Sequence, residues 1–111
     1  MVGAAALVSL VLTVPAWAAG GSLTNHFSAD TETFHGRARS SQADCRADRV
    51  VKVFQNTDSG RELQGMTRTN NAGAWSLHVM DAHGNYVAVA PAFEGMHGTC
   101  QRLASDPVDV M

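Results

Sequence analysis

The sequence predicts an all-β domain, a sandwich or small barrel held by one disulfide. Three observations predict it. From Glu32 onward, apolar and polar residues alternate in short runs, the period of half-buried strands. Clusters of Gly, Asn, Asp and Ser interrupt those runs about every 8–12 residues, as turns do between short strands. Two cysteines, Cys45 and Cys100, stand far apart behind a start that reads as an export signal.

That start comes first in chain order. Ala4 to Val14 is apolar except for Ser9 and Thr13, and it is followed by Pro15 and by Ala16-Trp17-Ala18. A short apolar run, a helix breaker and a small-x-small triplet are the late parts of a secretory signal peptide. Cleavage is expected after Ala18 or Ala19, so residues 1–19 are assigned to the signal. No Lys or Arg precedes the apolar run. The run is shorter than the roughly 20 apolar residues that span a bilayer, so no stable membrane insertion is expected after cleavage. The mature protein is expected outside the cytoplasm, extracellular or periplasmic.

Residues 20–31 read as a flexible lead-in, rich in Gly, Ser, Thr and Asn around Phe27. The domain itself is placed at 32–111. In Thr33–Arg39, Phe34, Gly36 and Ala38 share one face, with His35, Arg37 and Arg39 on the other. Ser40–Asp48 is polar and reads as a loop carrying Cys45. Arg49–Gln55 is a second strand with Val51 and Val53 inward, and Asn56–Gly60 is a turn cluster. Leu63–Thr69 reads as a less apolar strand near a sheet edge. Asn70–Gly73 turns the chain into Ala74–Val79, where Trp75, Leu77 and Val79 share a face. Asp81–Asn85 is the next turn. Tyr86–Ala90 is apolar on both faces, as central strands are, and Pro91 ends it. The pairing of 92–99 is left open, and Val108–Val110 is a short last strand.

Two cysteines in an exported chain read as a disulfide, with two buried thiols as the alternative. A bridge closing so long a loop restricts the unfolded chain by roughly 4 kcal/mol in the entropic account. The pair lacks the CxxC spacing of zinc or redox motifs.

The order of motifs resembles a known family. It runs Phe34-x-Gly36, Cys45, Arg49-x-Val51-x-Val53, Thr69-x-x-x-Gly73-x-Trp75-x-Leu77, Gly84-x-Tyr86-x-Ala88, Cys100, and Ser105-x-x-Val108-x-Val110. This pattern is similar to the carboxypeptidase regulatory-like modules of secreted bacterial proteins, themselves similar to transthyretin. The resemblance implies a seven-stranded Greek-key sandwich, Ig-like in architecture, and an accessory role without catalysis.

Composition excludes several functions. A net charge of −2 with scattered arginines offers no footprint for nucleic acid or an acidic membrane. The nucleophile elbow G-x-S-x-G is absent. The urate-derivative hydrolases of the transthyretin-like group end in Tyr-Arg-Gly-Ser, whereas this chain ends Val108-Asp109-Val110-Met111, and His35 with Arg37 on one strand face do not make that site. No catalytic residue, cofactor or metal site is expected. The histidines His26, His35, His78, His83 and His97 read as solvated surface residues, although His78 and His83 flank one turn and can approach each other. Trp75 reads as core, while Phe54 and Phe93 are the aromatics expected nearer the surface. The expectation is therefore a secreted, non-catalytic structural or interaction module whose partner is another protein or a surface polymer. The alternative is a secreted ligand binder or inhibitor acting through loop residues near Phe93.

Overall fold

A computed structural model describes residues 20–96 and 98–111. The expected signal peptide and His97 lie outside the described residues. The described chain is all-β, with one 3-10 turn at Ala43–Cys45. Its strands are β1 Ser22–Leu23, β2 His26–Ser28, β3 Thr33–Arg39, β4 Val50–Thr57, β5 Gly60–Arg68 and β6 Ala74–His78. They continue with β7 Gly84–Ala90, β8 Phe93–Gly95, β9 Gly98–Cys100, β10 Leu103–Ala104 and β11 Val108–Val110.

Two antiparallel sheets face each other. In the first, β3 pairs with β6 on one side and with β1 and β2. The second runs β10-β7-β4-β5, with β11 also on β7. Phe34, Ala38 and Trp75 from the first sheet share one core with Val51, Val53, Tyr86 and Ala88 from the second. The rings of Phe34 and Tyr86 meet at 4.7 Å between centroids. The alternation in Thr33–Arg39 holds as read: Phe34 and Ala38 are fully buried while His35, Arg37 and Arg39 are exposed.

Residues 20–31 are a correction to the sequence reading, because they carry β1 and β2 instead of a flexible lead-in. Leu23 is buried and Phe27 packs on Phe34, and these two apolar residues bind the segment to the domain. Between β1 and β2 the register does not slip. Thr24 keeps half of its ladder pair: its N–H donates to Arg37 O at 3.0 Å, while its hydroxyl accepts the Arg37 N–H at 2.9 Å. A Cβ on Gly36 would stand 1.9 Å from the Thr24 carbonyl oxygen, so the approach of the two strands requires glycine there.

The central position of Tyr86–Ala90 is observed, with β4 on one side and β10 and β11 on the other. Tyr86, Ala88 and Ala90 point into the shared core, and Val87 and Val89 are buried on the outward face. The Tyr86 hydroxyl donates to the His83 carbonyl and accepts the His83 N–H, each at 3.0 Å. Between β10 and β11, Ser105 substitutes for a strand residue: its N–H donates to Ala88 O and its hydroxyl accepts Ala88 N–H at 2.9 Å.

The edge expected around Leu63 is β5, which among the described residues pairs with β4 alone and carries a register shift opposite Val53 and Phe54. Bulges of this kind bend an edge away from further pairing. The open segment 92–99 forms the β8–β9 hairpin, and Cys100 at its end is bonded to Cys45, with Cα atoms 5.4 Å apart. No helix among the described residues is long and apolar enough to cross a membrane.

Candidate functional site: a groove beside Phe93

Arg49 is the residue on which this region is built. It precedes β4, and the parity that turns Val51 and Val53 inward turns it inward too. Only 1% of Arg49 is exposed. Its Nη1 donates to Cys45 O at 2.9 Å, and its Nη2 to Pro91 O at 3.2 Å, Ala90 O at 3.4 Å and Gln101 O. Its Nε has no hydrogen-bond partner. One side chain thus ties the cystine loop, the end of β7 and the segment after Cys100 to the start of β4. Burial lowers the pKa of this guanidinium, which nonetheless stays charged at neutral pH.

Phe93 lies over this buried cation, with the guanidinium carbon 5.5 Å from the ring centroid. A cation facing a ring is attracted by its negative π face, more strongly where water is excluded. Phe93 is still 38% exposed. Beside it the β4–β5 register sets Val50 opposite Arg68 and Lys52 opposite Met66, all on the outward face. Together with Pro91, Ala92 and Phe93 these residues line a groove of about 440 Å³. Its floor is apolar, and Met66, at 60% exposure, is open to solvent. Lys52 and Arg68 bring positive charge to its rim, with Arg49 beneath, against the single carboxylate of Asp48. Asp48 faces Arg68 at 3.6 Å, but both side chains are well exposed, so water and salt screen that pair.

The other sequence candidates are dispersed. Trp75 is buried in the core, as read, and Phe54 is half-buried. His78 and His83 do not join in a site: the Nδ1 of His78 sits 3.0 Å from Thr31 O and that of His83 3.0 Å from Asp81 O. No group of three or more His, Cys, Asp or Glu placed to hold a metal occurs among the described residues. His35 and Arg37 stand on the outward face of β3 in the first sheet, whereas Phe93 belongs to the separate β8–β9 pair. The sequence reading singled out Phe93 but missed Arg49, Lys52 and Met66 as its neighbours. The signal for Arg49 was strand parity, and the signal for the other two was a β4–β5 register that a bulge hides.

No family model, no curated protein and no solved structure matches this chain.

Proposed function

We propose that the chain is an exported, non-catalytic binding module whose contact surface is the groove beside Phe93. The observation that carries the proposal is the groove itself, an apolar floor with a cationic rim above a buried arginine. Its volume is in the range of small-molecule sites, and a few polar groups on an apolar wall are the usual composition of such sites. On a chain whose net charge is −2, the local excess of positive charge stands out. The ligand class that fits is an apolar body carrying a negative group, free or displayed on a protein or surface polymer.

The proposal extends to fold and compartment. β1 and β2 keep one register along β3, and β10 and β11 follow each other along β7. Counted as continuous lines, the two sheets hold seven strands, which supports the seven-stranded Greek-key, transthyretin-like reading of a carboxypeptidase regulatory-like module. The Cys45–Cys100 bridge supports an oxidising compartment outside the cytoplasm. The non-catalytic reading rests on the resemblance, which implies an accessory role, and on a sequence in which no G-x-S-x-G elbow occurs.

Calorimetric titration with two probes that each carry a ten-carbon chain tests the groove. Decanoate is expected to bind more tightly than decyltrimethylammonium by about tenfold, and Phe93→Ser to abolish the decanoate signal while circular dichroism stays unchanged. Equal binding of both head groups, or an unaffected Phe93→Ser protein, would remove the groove from the account.

A further inference from the structure

We infer that His26 and His35 form a surface site for a late first-row divalent cation, Zn²⁺ or Cu²⁺. This pair lies on the outward face of the first sheet, away from the groove, and is independent of it. The β2–β3 register places the two residues directly opposite each other. Both are exposed, and their ring centroids are 5.7 Å apart with the planes inclined at 37°.

That separation suits one shared ion. A ligating imidazole holds its centroid about 3.2 Å from the metal, a bond of about 2.0–2.1 Å plus a ring radius of about 1.1 Å. Two such arms span up to about 6.4 Å, so the observed 5.7 Å lies within the reach of a single ion once the two rings turn a nitrogen toward it. Imidazole nitrogen is the donor that Zn²⁺ and Cu²⁺ favour, with Cu²⁺ the tighter by the ordinary order of divalent affinities. The backbone beneath is ordered in advance: β3 is held by β2 on one side and by β6 on the other. Little entropy is then lost in bringing the two ligands together.

The neighbours on this face are compatible with two protein ligands and a coordination sphere completed by water. Ser28 and Thr33 lie two residues along from His26 and His35, and Ser76 is opposite His35 on β6. His78 is the diagonal neighbour of His35, and the Thr31 carbonyl holds its Nδ1. Arg37 is the nearest cation along β3 on the same face, and it limits the affinity.

Titration of untagged protein with Zn²⁺ at pH 7.5, read by calorimetry and by the imidazole resonances in NMR, tests the site. The expected result is one equivalent bound with a micromolar Kd, with His26 and His35 the rings that shift. His26→Gln or His35→Gln weakens binding by at least about tenfold, while His78→Gln and His83→Gln change it less than about twofold. Affinity falls on acidification, because metal and proton compete for the same nitrogens. Absence of saturation below about 1 mM, or binding that survives both His26→Gln and His35→Gln, would overturn the site and leave the pair as ring packing alone.

Discussion

Arg49 shows how a single residue organises the region. Its guanidinium serves four backbone carbonyls around the cystine. Arg49→Met would keep the apolar stem but remove the donor that joins the three segments, at a cost of about 2–4 kcal/mol in urea unfolding. Arg49→Lys should recover only part of that, because an ammonium cannot fork to carbonyls on three segments. A loss below about 0.5 kcal/mol for the Met variant would show the network to be incidental. Asn25 is the opposite case. Its amide is buried and neither Nδ2 nor Oδ1 has a partner. Asn25→Leu is therefore expected to raise the melting temperature, by a gain of about 1 kcal/mol, and a lowered midpoint would mean the amide has a role at this break between β1 and β2.

Among the elements, legibility followed burial pattern and length. β3, β4 and β6 were readable because one face of each meets the opposite sheet, which writes a period of two into the sequence, and β7 was readable as a run apolar on both faces, since its outward Val87 and Val89 are buried as well. β1 and β2 were not, because Thr24 interrupts a segment too short to show any period. β8 and β9 are three residues each and are held by a covalent bond more than by an apolar face. The groove was half legible: Phe93 was visible as an aromatic in a loop, but its partners come from a β4–β5 register set by a bulge. Ser105 tests the irregular last strand. Ser105→Ala removes the acceptor for a buried Ala88 N–H, and about 1–2 kcal/mol of stability should go with it. Amide exchange should speed up at Ala88 and Val110 while β3 stays protected; uniform loss across both sheets would contradict a local role. Gly73 carries a φ of +88°, and a Cβ there would stand 2.2 Å from Ala38 O, so the Asn70–Gly73 turn depends on glycine for both conformation and space.

For the whole molecule, the bridge and the core carry stability together. Reduction of Cys45–Cys100 is expected to cost roughly 4 kcal/mol, and also to loosen the β8–β9 hairpin, so that decanoate affinity falls before the two sheets separate. Unchanged affinity in the reduced, alkylated protein would mean that the groove does not depend on the hairpin's tether. The export proposal has its own check in the intact mass of the secreted protein. Loss of residues 1–18 or 1–19, with alkylation only after reduction, is the predicted result.

The measurement that tests the binding proposal most directly is a map of amide shifts as decanoate is added to isotopically labelled, oxidised protein. Saturable shifts confined to Arg49–Lys52, Met66–Arg68 and Ala92–Glu94 are expected. Shifts centred on β3 and β6, or none at millimolar decanoate, would contradict the binding proposal.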